Sequence, residues 1–151
     1  MDNFEQQQQQ VKIALARVQI PAGIIVRAWS EEDFLAIQRL SSAEGWTSPV
    51  RRPADSLRAW QSSWPTLVAQ KDDAVVGFVR AITDCAITMY IAELLVDQHM
   101  RGAGIGRTLL ETCHQLYPTT RLDLLAADGS RSFYEACGYR VLHDGMRKSY
   151  V

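Results

Sequence analysis

Residues 89–110 read in a fixed order: an apolar run ending at Val96, a basic turn punctuated by glycine, and an amphipathic segment that opens at Ile105. A strand that enters a helix through such a turn is a unit of mixed α/β folds. Gly102, Gly104 and Gly106 let the backbone take positive φ and come close to a ligand. The first free N–H groups of the following helix, and its dipole, favour an anion at the same place. Arg101 and Arg107 add positive charge there. The turn is therefore a candidate phosphate site built from Arg101, Gly102, Ala103, Gly104, Ile105, Gly106, Arg107 and Thr108.

Spacing decides which phosphate ligand is meant. The dinucleotide fingerprint G-x-G-x-x-G needs a glycine where Arg107 stands, and the Walker pattern G-x-x-x-x-G-K-[ST] is absent. The order R-G-x-G-I-G after the strand I-A-E-L-L-V instead resembles the pyrophosphate-binding motif of the GNAT superfamily of acyl-CoA-dependent N-acetyltransferases. A second signature follows in order, a strand and then a short helix carrying F-Y-x-x-x-G-[FY] at Phe133, Tyr134, Gly138 and Tyr139. The resemblance runs from about residue 24 to residue 151 and leaves residues 1–23 as a low-complexity N-terminal arm. Within the superfamily, G-W before a helix, V-G-F-V-R-A-I-T-D in a central hairpin and a closing D-G-M resemble the branch of plant and cyanobacterial serotonin N-acetyltransferases and their bacterial relatives. The fold implied is α/β of the mixed α+β kind, a mostly antiparallel sheet of about six to seven strands flanked by about four helices.

Size and charge agree with one enzyme domain. The 151 residues suffice for a single core, and 47% hydrophobic content is ordinary for a globular chain. A net charge of −1, from 16 basic and 17 acidic residues, supplies no general field for nucleic acid or an anionic membrane, so an anion site must be local. No apolar run approaches the eighteen or so residues of a membrane span, and residues 1–10 are too polar for a signal peptide. The expectation is a cytoplasmic protein. Cys85, Cys113 and Cys137 lack C-x-x-C spacing and are expected to be reduced and mostly buried, and the three scattered histidines suggest no metal site.

Along the chain, residues 2–10 form a glutamine-rich segment, read as a flexible leader or as an arm that packs on a partner subunit of a homodimer. Residues 24–28 read as the first strand, and Ser30 with Asp33 signals a helix to about residue 43. A second helix follows Pro53, with Leu57, Trp60 and Trp64 on its inner face. Residues 65–70 and 74–82 form a hairpin across Lys71-Asp72-Asp73, 89–96 the central strand, 104–116 the main helix, 122–126 a further strand and 130–137 a short helix. Two last strands are expected at 139–143 and 146–150.

The resemblance assigns roles to particular residues. It implies a bulge near the end of the central strand whose splayed N–H groups, those of Leu95 and Val96, face the pantetheine arm and the thioester oxygen of acetyl-CoA. It places Tyr134 beside the CoA sulfur as general acid, on the ground that Phe133 and Cys137 make a buried i, i+4 stripe that Tyr134 does not share. Glu93 is an acidic side chain in an otherwise apolar strand, costly to bury without a partner, and is the candidate base or amine-binding group. A structural salt bridge is its competing role. Asp84 and Asp128 are further acceptor-side candidates, with Asp84 also able to pair with Arg80 across the hairpin tip. Trp46 lies in a breaker-rich loop where it could stack on an apolar amine.

Together these features imply an acetyl-CoA-dependent N-acetyltransferase acting on a primary amine of a small molecule, an arylalkylamine among the candidates. Attack is direct, in a ternary complex, with neither a cysteine nucleophile nor a metal. A protein or peptide acetyltransferase and a non-catalytic acyl-CoA sensor are the alternatives.

Overall fold

The computed structural model describes residues 1–150. The expected domain ends at Val151, which lies outside the described residues. Five strands form one sheet in sequence order: β1 (Ile25–Ala28), β2 (Thr66–Lys71), β3 (Ala74–Thr83), β4 (Thr88–Val96) and β5 (Arg121–Leu124). The first four are antiparallel neighbours, and β5 joins β4 in parallel. Six helices accompany them: α1 (Asn3–Leu15), α2 (Phe34–Ala43), α3 (Ser48–Arg51), α4 (Pro53–Gln61), α5 (Ile105–Leu116) and α6 (Arg131–Ala136).

Each face of the sheet carries its own core. On one face α5 lays Ile105, Leu109 and Cys113, spaced i, i+4 and i+8, on Leu67, Val79, Ala81, Met89 and Ile91. Burial pushes the Cys113 thiol up to about 12, so it stays an inert apolar filler. On the other face α2 and α4 cover Val68, Phe78 and Leu95 with Ile37, Leu40 and Trp60. Trp60 is fully buried, with its ring 5.2 Å from Trp29 and 5.4 Å edge-on to Phe78. Truncating it to alanine should cost about 3–5 kcal/mol. Helix α4 stops at Gln61, so Trp64 leaves the helical stripe and instead donates its indole N–H to the Tyr117 hydroxyl at 3.0 Å.

The ends of the chain depart from the sequence reading. The glutamine-rich segment is helix α1, opened by a reciprocal capping box between Asp2 and Glu5. It packs on its own domain: Val11 and Ala14 are buried, and the Gln8 side chain accepts the Ala28 N–H at 2.8 Å on edge strand β1. Glutamine is a fair helix former, and two small apolar residues one turn apart suffice to dock it. At the other end, residues 139–150 form no strand, so the sheet has five strands and not the expected six to seven. Tyr139 packs into the core, 5.7 Å from the Tyr134 ring, but Val141 and Leu142 are exposed as an adjacent pair, which breaks strand alternation. Asp144 takes a left-handed φ of 62°, turning the chain, and the tail ends with the Tyr150 ring 4.6 Å beneath the Arg52 guanidinium. Among the described residues, no helix is long and apolar enough to cross a membrane.

Candidate active site

The site begins where two strands part. β4 and β5 are paired only from Thr88–Arg121 to Ile91–Leu124. Immediately beyond, Ala92 is the extra residue of a bulge in the β3–β4 ladder, because Arg80 faces Glu93 whereas Ala81 faces Ile91. The strands diverge into a cavity of about 620 Å³, floored by residues 91–96 and walled by the turn before α5, by residues 124–130 and by α6. The Asp97 N–H donates to the Val76 carbonyl at 2.8 Å. With Phe78 opposite Leu95 and Gly77 opposite Val96, strand alternation then turns the N–H groups of Glu93 and Leu95 to β3 and those of Leu94 and Val96 to the cavity. The strand donors facing the cavity are therefore Leu94 and Val96; the Leu95 N–H is spent in the ladder.

One mouth of the cavity is the glycine turn. Gly102 and Gly104 have φ of 83° and 91°, a region that side chains with a Cβ rarely adopt. A Cβ on Gly102 would meet nothing within 4 Å, so that surface is open to a ligand. The first donor inside α5 is the Thr108 N–H, to the Gly104 carbonyl at 3.0 Å, which leaves the N–H groups of Ile105, Gly106 and Arg107 at the open end of the helix. This cradle fits a pyrophosphate. Gly106 serves packing: its Cβ would fall 2.9 Å from Cζ of Phe133.

Two residues of the expected phosphate set do not line the cavity. Thr108 is buried, and its hydroxyl reaches the carbonyls of Gly104 at 2.9 Å and Gln19 at 3.2 Å, as an interior helix threonine does. Ala103 is exposed at the turn. Both arginines line it but are engaged within the protein. Arg107 donates to the Ala136 carbonyl at 2.6 Å, tying α5 to the end of α6. Arg101 donates to the Val96 carbonyl at 3.2 Å and forms a 2.5 Å ion pair with Glu44.

The rest of the rim is assembled from distant segments. Helix α2 ends in a Schellman turn: Gly45 is left-handed at φ 81°, and the Trp46 N–H reaches back to the Ser41 carbonyl at 2.8 Å. That turn fixes Trp46, which lines the cavity while its other side packs against the Trp29–Trp60 core. Glu93 lines it from the bulge, with its Oε2 accepting the Arg80 Nε at 2.5 Å. Asp128 lines it from the exposed turn before α6. Asp84 does not: its Oδ1 accepts the N–H groups of Ala86, Ile87 and Thr88 at 2.8–3.0 Å, and these bonds hold its carboxyl below the usual carboxylate range. It closes the β3–β4 turn and neither faces the cavity nor pairs with Arg80. Cys85, in the same turn, is exposed and not buried as expected.

Tyr134 lies on the wall of the same cavity. Cys137 of α6 faces inward as expected, but its partner in the stripe is Tyr134, and Phe133 is exposed where it closes over Gly106. Burial, then Cys137, raises the Tyr134 hydroxyl above the usual tyrosine range, so it remains protonated at neutral pH, as a proton donor must. Sequence reasoning missed Glu44, Leu94, Met100, Leu125 and Phe133 as cavity residues.

β4 and β5, the last two strands of the sheet, part to open one cavity that is lined both by the glycine turn and by the Glu93 carboxylate. The acetyltransferase (GNAT) domain family matches residues 62–141, and the chain belongs to it. An N-acetyltransferase of uncharacterised role in Methanocaldococcus jannaschii is 29% identical over 129 residues, 78% of either chain. Among solved structures, a GNAT-family acetyltransferase of Streptococcus pneumoniae superposes with a TM-score of 0.69 at 21% identity, over 85% of this chain and 96% of that one. AAC(6')-Iy, solved with a bisubstrate analogue that joins CoA to acetylneamine, superposes with a TM-score of 0.68 at 13% identity, over 85% of this chain and 98% of its own.

Proposed function

We propose that this acetyltransferase carries the acetyl group of acetyl-CoA to the primary amine of a small molecule, by direct attack in a ternary complex. One observation carries the reading: a single cavity joins the phosphate cradle, Tyr134 and Glu93, so both substrates can meet in it. The cradle at Gly102–Arg107 holds the pyrophosphate, and the Leu94 and Val96 N–H groups meet the thioester oxygen. One such preorganised donor is worth about 3 kcal/mol of barrier. The amine nitrogen forms a bond to the carbonyl carbon as the carbon–sulfur bond breaks. The thiolate takes the Tyr134 proton, and the proton lost by the amine passes to Glu93 directly or through water. No side chain forms a covalent intermediate.

Trp46 at the acceptor mouth, together with the resemblance to serotonin-acetylating relatives, favours an amine with an aromatic or apolar body. The test is thiol release from acetyl-CoA by the purified protein with tryptamine, spermidine, kanamycin or lysine. Release with tryptamine above the others supports the full reading. Release led by another amine keeps the acetyltransferase and removes the aromatic acceptor. Acetyl-CoA binding without release for any amine favours the acyl-CoA sensor.

A further inference from the structure

Arg80, weighed as a partner of Asp84 across the hairpin tip, stands instead beside Glu93. The bulge at Ala92 shifts the ladder by one residue, so that Arg80 and Glu93 stand directly opposite each other on the face covered by α2 and α4. Their side chains are 18% and 19% exposed, and Arg80 Nε meets Glu93 Oε2 at 2.5 Å. The guanidinium is fixed from behind as well. Its Nη1 donates to Ser63 Oγ at 3.2 Å, and the Ser63 hydroxyl donates to the Ala59 carbonyl at 2.6 Å, at the end of α4. A relay of three hydrogen bonds therefore runs from the last turn of α4 to one oxygen of the carboxylate that lines the cavity.

A glutamate side chain has three rotatable bonds, and a free one in a wet cavity would sample several rotamers. Arg80 removes that freedom. Because Arg80 Nε, itself held from behind by Ser63, anchors Oε2, the rotamers open to the Glu93 carboxylate are restricted before any substrate arrives. A lysine would supply the charge without the planar group whose Nε and Nη1 meet Glu93 and Ser63 in a fixed geometry.

We propose that Arg80, held by Ser63, is the positioning residue for Glu93: it presents Oε1 to the acceptor nitrogen and so sets the orientation of the attacking amine. The role rests on the reading of Glu93 as the acceptor-side carboxylate. It makes Ser63, outside the cavity lining, a third member of the acceptor machinery.

The experiment is steady-state kinetics of Arg80→Gln, Arg80→Lys, Ser63→Ala, Glu93→Gln and the double variant Arg80→Gln/Glu93→Gln. The substrates are acetyl-CoA and the fastest amine among tryptamine, spermidine, kanamycin and lysine, and circular dichroism checks folding. Loss of near-attack geometry costs up to about a hundredfold, so Arg80→Gln should lower kcat/KM for the amine by roughly 10- to 100-fold. The KM for acetyl-CoA should stay within about twofold, because the cradle is untouched. Arg80→Lys should recover part of the loss. Ser63→Ala should lose about two- to fivefold, a smaller loss because one of two anchors remains, and it keeps the idea testable if Arg80→Gln folds poorly. Once Glu93 is glutamine, the Arg80 change should add less than about twofold, since its effect acts through that carboxylate.

A merely structural ion pair would lower the melting temperature and leave the kcat/KM of the folded variants unchanged, which overturns the proposal. Additive losses in the double variant overturn it too. If Glu93→Gln is slow while Arg80→Gln is not, Glu93 keeps its role and Arg80 loses this one. If Glu93→Gln is fully active, or no amine releases thiol, the acceptor reading falls and the positioning role with it.

Discussion

Two parts of the cavity lining, the carrier mouth and the acceptor mouth of the proposed reaction, are built by opposite means. The cradle at Gly102–Arg107 is one short stretch of chain whose function resides in its backbone: positive φ at Gly102 and Gly104, and open N–H groups at the start of α5. The acceptor mouth is made of side chains from three separated places: Trp46 after α2, Glu93 on β4 and Asp128 before α6. A backbone site of this kind is nearly independent of side-chain identity, so it can be common to many relatives. A side-chain site changes with each substitution, and under the proposed reaction this is where acceptors are told apart. The division predicts that variants at the two mouths will damage different kinetic constants.

The largest effect belongs to Tyr134, which lines the cavity that both mouths share. Tyr134→Phe keeps the ring that packs against Tyr139 and removes only the proton, so kcat should fall by roughly 10² to 10⁴ with KM for both substrates nearly unchanged. Because burial raises the hydroxyl above its usual range, the wild-type kcat should hold until the pH passes the ordinary tyrosine value near 10. A basic limb well below that, in kcat against pH, assigns the donor to another group. A loss below threefold in Tyr134→Phe makes the ring a packing residue and leaves the two mouths without a shared catalyst.

Next in size is damage confined to the cradle. Gly104→Val forces a β-branched residue to φ 91°, although its Cβ would lie 3.6 Å from Pro21, an ordinary contact. The cost is therefore conformational, about 1–2 kcal/mol or more of stability. Distortion of the adjoining N–H groups should weaken acetyl-CoA binding at least tenfold by calorimetry, while the KM for the amine moves little. An unchanged affinity in the folded variant would place the carrier elsewhere and dissolve the comparison.

The same contrast explains what the sequence disclosed. Turn chemistry is local, so the cradle is legible in Arg101–Arg107, and only Thr108 and Ala103 drop out, because burial and outward direction are not written in a motif. Distinguishing Leu94 from Leu95 required the ladder register, which one bulged residue sets. Glu44 pairs with Arg101 across 57 residues of sequence, and the Arg80–Glu93 pair exists only because of that bulge. No spacing rule reaches either. The strands and helices from residue 25 to residue 136 were legible from hydrophobic period and caps, except for the short α3 and the end of α4, where Trp64 leaves the helix. The ends misled: a glutamine run became a docked helix, and the apolar pair Val141–Leu142 proved too irregular for a strand.

At the acceptor mouth, Trp46→Ala should leave acetyl-CoA affinity and the fold in place, since the Schellman turn is held by Gly45 and the backbone. Stacking is worth around 1 kcal/mol, so kcat/KM for tryptamine should drop several-fold while that for spermidine changes little. Equal losses for both amines would mean that Trp46 shapes the cavity without reading the acceptor.

The smallest catalytic effect is expected at Asp84, in neither mouth. Its carboxylate accepts three backbone N–H groups in the β3–β4 turn, so Asp84→Asn should acetylate at the wild-type rate and melt at a lower temperature near neutral pH. The sign of the pH dependence follows from the shift. The folded value is depressed, so the ionised carboxylate stabilises the fold fully above its ordinary value near 3.8, and that contribution is lost as the pH falls through the lowered folded value. Melting temperatures of the two proteins should therefore differ at pH 7 and converge at pH below 3.8. A rate deficit in a variant of unchanged melting temperature would return Asp84 to the acceptor site and give the side-chain mouth a fourth contributing segment.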